Sequence, residues 1–215
     1  MKTEHLINSL PFEIPGKITS QLYSSDDISE KLDTIRNWIH FNQEISHDKR
    51  LAWHKPVLEL AKKNELLEAV AKSYCNMAKI YDRIGDFDSS LTVSQRAKDI
   101  WLKLSLQSSK YHHNLIISYC DIAVTYRLKN SIDKAFETLY KGYEIFKKNG
   151  FDQDGALIIL YSDLGVIYKE IQDFPAAMDM FNESLSLIKK SNNQEQYLEN
   201  TIICHINMGN IYTKT

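Results

Sequence analysis

The residues of this sequence that are best suited to chemistry are three cysteines and one pair of histidines. Cys75, Cys120 and Cys204 are few and far apart, unlike a disulfide framework or a Cys-x-x-Cys motif. His112 and His113 are adjacent, so on a helix they point away from each other and cannot form a His-Glu-x-x-His zinc face. We predict an exposed helix start for the histidines, and buried or half-buried positions for the cysteines rather than a redox pair.

The sequence contains no glycine-rich phosphate loop, no metal motif and no local arrangement of a nucleophile with a base. We therefore expect no catalytic residues, no metal, no cofactor and no enzyme activity. An enzyme would require side chains from distant segments to converge on an acid–base or metal cluster in one groove.

The composition limits the classes of fold and partner. Of the 215 residues, 43% are hydrophobic and 25% are charged, and only 7 Gly and 4 Pro are present, which favours long helices over sheets with frequent turns. The formal net charge of −2 provides no positive field for nucleic acid or an anionic membrane. No segment approaches the roughly 18 apolar residues of a membrane span, and the N-terminus lacks the apolar run of a signal peptide. We expect a cytoplasmic protein.

The elements that position these residues follow from an internal repeat. One pattern occurs four times: an aromatic residue, two residues, an apolar residue, a small residue, two residues and a tyrosine. Large residues at these spacings share one helical stripe, and the small residue lets a neighbouring helix approach closely. The copies occupy 74–81, 119–126, 161–168 and 205–212, with His205 at the aromatic position of the last.

A second helix is predicted after each tyrosine. Gly85 suits a left-handed helix end, and Pro175 suits a first helical turn. Small residues recur in these second helices at a seven-residue step. Seven of the twelve tyrosines fall at packing positions of the repeat, so we interpret them as core residues rather than as a surface for stacking bases. These seven are Tyr74, Tyr81, Tyr119, Tyr126, Tyr161, Tyr168 and Tyr212.

These positions resemble the tetratricopeptide repeat (TPR) over about residues 65–215. The resemblance implies an all-α fold, a right-handed α-solenoid of antiparallel helix pairs. The repeats run 42 to 45 residues instead of the usual 34, as measured from Tyr74, Tyr119, Tyr161 and His205. Such long repeats resemble those in bacterial sensory and regulatory proteins.

The predicted organisation divides the chain into an N-terminal part and an array. Residues 1–22 show no period and are expected to form an irregular arm, and 23–64 a degenerate first repeat or N-terminal cap. Pro56 either kinks or starts its helix. The array is predicted to comprise repeats at about 65–107, 108–150 and 151–192 and a partial repeat at 193–215. The partial repeat is either itself the cap, or the natural chain continues, which we favour.

Candidate binding residues come from the resemblance, because first helices line the groove in this family. Arg83, Arg127 and Lys169 place a cation near the tyrosine of each complete repeat, where it could hold acidic side chains or a peptide carboxylate. Alternatively, the cations only pair with nearby aspartates. The Lys/Asn set that clamps a chaperone tail in some family members is not reproduced. The predicted groove residues are Asn76, Lys79, Arg83, Asp121, Arg127, Asp163, Lys169, Asn207 and Asn210.

The resulting functional hypothesis is a scaffold that binds a protein or peptide, as the regulatory or sensory module of a larger signalling protein. The alternative is an oligomerisation module without its own ligand, which forms a homodimer through its C-terminal helix.

Overall fold

The computed structural model describes residues 2–149 and 154–214, which form two compact units that divide between Ile100 and Trp101. The described residues contain only α-helices, short 3-10 helices and turns. The expected all-α fold class is confirmed. None of the described helices is long and apolar enough to cross a membrane.

The first unit contains five helices and most of a sixth. They are α1 (Thr3–Asn8), α2 (Gly16–Tyr23), α3 (Ile28–Phe41), α4 (His47–Lys63), α5 (Leu67–Ile84) and α6 (Phe87–Ser105). The expectation of an irregular arm over residues 1–22 was wrong, because α1 and α2 lie there. Both helices are ordered by packing, since Leu6 and Leu22 are fully buried.

Aromatic stacking explains the N-terminal sequence that departs from the repeat. The ring centroids of Phe12 and Trp53 lie 4.6 Å apart, and those of Trp38 and Trp53 lie 5.4 Å apart. Pro56 lies inside α4 and does not start it.

The second unit begins near the C-terminal end of α6 and contains five further helices. They are α7 (His112–Leu128), α8 (Ile132–Asn149), α9 (Asp154–Glu170), α10 (Phe174–Lys190) and α11 (Leu198–Tyr212), with 3-10 turns at Ser109–Tyr111 and Gln194–Tyr197. The first helices α7, α9 and α11 contact one another in order, and α8 and α10 pack against them. The predicted boundary between the repeats at 150 and 151 falls outside the described residues.

The turns between paired helices share one backbone geometry. The carbonyl oxygens of Tyr81, Tyr126 and Tyr168 each accept a hydrogen bond of 2.9 Å from the amide five residues later. A left-handed residue stands just before that amide: Gly85 at φ 79°, and the unpredicted Asn130 at φ 57° and Gln172 at φ 65°. The carboxylate of Asp173 then accepts a 3.2 Å hydrogen bond from the Ala176 amide and caps α10.

Two of the small residues, Gly142 and Gly165, lie where helices approach closely, as predicted. A Cβ added to Gly165 of α9 would lie 2.5 Å from the Phe181 ring of α10, and one added to Gly142 of α8 would lie 3.3 Å from Tyr119 Cβ. Most of the repeat tyrosines are buried or half-buried. Tyr212 is the exception to the core interpretation, since it is 67% exposed.

The outer face of α11 is apolar and uncovered. Leu198, Ile202 and Ile206 are between 49% and 60% exposed, whereas Cys204 on the opposite face is fully buried. Nothing lies within 4 Å of a Cβ added to Gly209, although the equivalent Gly165 is tightly packed. These three residues therefore form an exposed apolar stripe on α11.

Candidate protein-binding surface

The predicted groove residues of the second unit lie on its row of first helices, α7, α9 and α11. Arg127 at the end of α7 forms an ion pair with Glu170 at the end of α9, with Nη1 and Oε1 3.3 Å apart. The Arg127 and Glu170 side chains are 31% and 28% exposed, so the pair is partly shielded from water.

The next contact along the row joins α9 to α11. Lys169 Nζ donates a hydrogen bond to Asn207 Oδ1. The side-chain Nδ2 of Asn207 in turn donates a 2.7 Å hydrogen bond to the carbonyl oxygen of Ile203, which fixes the orientation of the Asn207 side chain. Asn210, one turn further along α11, is exposed.

In these two contacts, the partners of the cations are not the nearby aspartates that the alternative prediction named. Arg127 contacts Glu170, and Lys169 contacts an asparagine, each on the next first helix of the array. Glu170 was not among the predicted site residues, although its place two residues after Tyr168 could have indicated it. Both cations are thereby held by an inter-repeat contact.

Asp121 and Asp163 occupy the inner side of the same row and are half-buried. Asp163 and Arg127 line a small recess with Val124 and Ile167. Burial raises the pKa of the Cys120 thiol, and the carboxylates of Asp163 and Asp121 raise it further. Cys120 is therefore a protonated core thiol and not a nucleophile.

Cys204 has a similar environment on α11. Burial raises the pKa of its thiol, against the hydroxyls of Ser184 and Ser162, which lower it. The Ser184 hydroxyl also donates a 2.9 Å hydrogen bond to the carbonyl oxygen of Ile158 and so ties α10 to α9. Cys75 is half-buried, and none of the three cysteines forms a disulfide.

The histidine pair begins α7, as predicted, but its exposure differs from the prediction. His112 and His113 are half-buried rather than exposed, and burial lowers the pKa of His113. The His113 ring lies 3.3 Å from the position of a Cβ on Gly155 of α9, which explains the burial. Within residues 2–149 and 154–214, no three His, Cys, Asp or Glu side chains are grouped as metal ligands.

The remaining predicted residues belong to α5 of the first unit. Asn76 is half-buried, and Lys79 and Arg83 are exposed. Their charges act on His40 of α3, whose pKa is lowered first by burial and then by these and other cations. The arrangement in both units can present cationic donors to acidic groups by charge-assisted hydrogen bonds.

Sequence comparison identifies a TPR in the first unit. The family model described as a tetratricopeptide repeat matches residues 71–100, which cover most of α5 and part of α6. A similar curated protein is the Arabidopsis thaliana "Protein KINESIN LIGHT CHAIN-RELATED 2", with 22% identity over 136 residues, or 63% of this chain. The chain spans only 20% of that relative's length.

Solved structures share the fold at low sequence identity. The crystal structure of BtubC (BKLC) from P. vanneervenii has a TM-score of 0.62 and 17% identity, covering 99% of this chain and 84% of that one. The apo form of RapI has a TM-score of 0.61 and 16% identity, covering 92% and 73% of the two chains. Helical arrays of this kind are protein-interaction scaffolds. The matching family model thus identifies a tetratricopeptide repeat at residues 71–100, and the solved structures show the same helical fold.

Proposed function

We propose that this chain binds a protein or peptide through the polar row of its first helices. In the second unit the row comprises Asp121, Arg127, Asp163, Lys169, Asn207 and Asn210. In the first unit, taken by itself, α5 carries the other predicted residues, Asn76, Lys79 and Arg83. The observation that carries the proposal is the pair of inter-repeat contacts, Arg127 to Glu170 and Lys169 to Asn207.

Those contacts favour binding because they order two long side chains before a partner arrives. A free arginine or lysine loses about 2 kcal/mol of rotamer entropy when it is fixed, so a cation that is already held loses less on binding. An acidic side chain of the partner can then accept a charge-assisted hydrogen bond. The preferred ligand is an extended or helical acidic segment.

An array of immobilised acidic, basic and neutral peptides tests this proposal. We expect the full chain to bind acidic peptides, and the double variant Arg127→Gln/Lys169→Gln to lose about tenfold or more in affinity, since a charged hydrogen bond contributes about 1.5–3 kcal/mol. The matched control is Lys134→Gln/Lys141→Gln, which removes the same charge from exposed positions of α8. Equal losses in both double variants, or no peptide binding by the full chain, would refute a specific site on the row.

The biological setting that we propose is the regulatory or sensory module of a larger signalling protein in the cytoplasm. The long repeats support the regulatory or sensory role, since they resemble those of bacterial sensory proteins. The absence of a disulfide among the three cysteines supports a reducing compartment. We further propose that the chain has no catalytic activity of its own, in keeping with the raised pKa values of Cys120 and Cys204.

A second candidate function is assembly through α11, where Leu198, Ile202, Ile206 and Tyr212 are exposed. We propose a homodimer in which the apolar faces of two α11 helices pack together. Light scattering should show a dimer that Ile202→Asp/Ile206→Asp converts to a monomer, whereas Ile171→Asp, at another exposed isoleucine, should leave it intact. If the unaltered protein is a monomer, the dimer is excluded. If adding residues after Thr215 abolishes the dimer, then the dimer forms only because the apolar face of α11 is uncovered.

A further inference from the structure

A cavity of about 570 Å³ in the second unit is bordered by the C-terminal ends of α6 and α8 and by the start of α7. Its apolar wall consists of Leu102 and Leu106 at the end of α6, Leu115 of α7 and Ile145 of α8. We call this space the end cavity. Sites for small molecules are mostly apolar and measure about 300–1,000 Å³, so the size of the end cavity fits a small organic ligand.

The apolar wall of the end cavity is open to water on the α6 side. Leu106 is 82% exposed and Leu102 is 42% exposed, whereas Leu115 on α7 is only 2% exposed. The two α6 leucines therefore gain little from folding, and a ligand that covered them would remove apolar surface from water. Adjacent exposed leucines beside polar side chains are typical of a binding site.

The rim of the end cavity is basic. Lys147 and Lys148, in the last turn of α8, are exposed and line the cavity together with Glu144. Among the described residues, neither lysine forms an ion pair. Two lysine charges against the single charge of Glu144 leave the rim positive. His112 also lines the cavity, but its Nδ1 lies 3.1 Å from the carbonyl oxygen of Ser109, so the lysines are the donors open to a ligand.

Lysines in the last turn of a helix also complement the helix dipole, and this role has to be separated from ligand binding. Lys189 and Lys190 stand in the last turn of α10, as Lys147 and Lys148 do in α8. The dipole accounts for lysines in both helices, but it does not account for the exposed leucines beside the α8 pair. Because the α10 pair does not line the end cavity, it provides a matched control.

We propose that the end cavity binds a small amphiphilic carboxylate. Its hydrocarbon body covers Leu102 and Leu106, and its carboxylate accepts charge-assisted hydrogen bonds from Lys147 and Lys148. A cationic amphiphile would bury the same hydrocarbon body but would be repelled by the two lysines. The site shares no residue with the polar row of first helices, so this proposal and the protein-binding proposal can each fail without the other.

Three probes separate the contribution of the hydrocarbon body from that of the carboxylate. Octanoate carries both, octylamine carries the body with a positive charge, and acetate carries the carboxylate without the body. Each is titrated into the full chain at constant ionic strength and below its critical micelle concentration. Calorimetry gives the affinity, and the NMR signals of the Leu102, Leu106 and Ile145 methyl groups locate the site. We expect octanoate to shift these signals in a saturable way, and octylamine and acetate to bind at least about tenfold more weakly.

Two pairs of variants test the residues. Lys147→Gln/Lys148→Gln should weaken octanoate binding about tenfold or more, the usual effect of losing charge-assisted hydrogen bonds, whereas Lys189→Gln/Lys190→Gln should leave it unchanged. Leu106→Asn should weaken it severalfold, whereas Ile171→Asn, at an exposed isoleucine outside the cavity, should not. All six substituted residues are exposed, so the variants should fold, and circular dichroism verifies this.

Three results would overturn the proposal. The first is the absence of a saturable shift of the methyl signals with octanoate. The second is equal affinity for octanoate and octylamine, which would show an apolar patch without selectivity for a carboxylate. The third is equal weakening by the lysine double variants of α8 and α10, which would show an effect of net charge rather than a site.

Discussion

Gly165→Ala is expected to destabilise the second unit, contrary to the usual effect of this substitution in a helix. Alanine normally gains about 1 kcal/mol over glycine in a helix interior. Here the new Cβ would lie 2.5, 2.6 and 3.0 Å from three atoms of the Phe181 ring. Because that ring is fully buried, it cannot rotate away into solvent. Overpacking of a core costs about 1–3 kcal/mol, so the net loss should be up to about 2 kcal/mol.

Gly209→Ala is the matched control, because Gly209 occupies the same position in the next copy of the repeat and has nothing within 4 Å of the added Cβ. It should raise the free energy of unfolding by up to about 1 kcal/mol. Urea unfolding followed by far-UV circular dichroism measures both variants. Gly165→Ala should therefore lower the urea midpoint, and Gly209→Ala should raise it.

The contact with Phe181 can be isolated by a double-mutant cycle. Phe181→Leu makes the facing side chain smaller, so Gly165→Ala should cost less in that background than in the unaltered protein. If Gly165→Ala is as stabilising as Gly209→Ala, or if its cost is the same with and without Phe181→Leu, then the close approach of α9 and α10 is not what selects glycine here.

Three further outcomes follow from the contacts and pKa values. Burial on α4 lowers the pKa of His54 from 6.5 to about 3 in the folded protein, so below pH 6.5 the unfolded chain binds more protons than the folded one. The melting temperature should therefore fall as the pH decreases below 6.5, and His54→Leu should make that fall smaller than in the unaltered protein. Cys75 should react with an aromatic disulfide reagent before Cys120, whose thiol is buried and has a raised pKa; equal rates would contradict the described burial. Ser184→Ala should lower the free energy of unfolding by about 1 kcal/mol through loss of the bond to the Ile158 carbonyl, and an unchanged urea midpoint would show that this bond contributes nothing.

The array could be predicted from the sequence because its packing rules recur. A single small residue one helical turn before a tyrosine would not identify a fold. The same spacing at Ala78, Ala123 and Gly165, however, indicates a stack of similar helix pairs. The N-terminal helices α1 and α2 could not be predicted in this way. They are short, and the stack of Phe12, Trp53 and Trp38 beside them joins residues that are far apart in sequence.

The candidate site was predicted only in part, for a related reason. The sequence located Arg127 and Lys169 near their tyrosines, but it did not indicate their partners. The partner of Arg127 is 43 residues away on another helix, and such a distance carries no local signal. The burial of His113 against Gly155 and that of His54 on α4 likewise depend on helices that meet only in the folded protein.

The shared turn geometry has a consequence for where the chain can change in length. The carbonyls of Tyr81, Tyr126 and Tyr168 must each reach an amide five residues later, so an inserted residue would break that bond and displace the cap of the following helix. The connections at 106–111 and 191–197, between a second helix and the next first helix, contain no such shared bond. Differences in repeat length, and any engineered epitope or fused domain, should therefore be accommodated there.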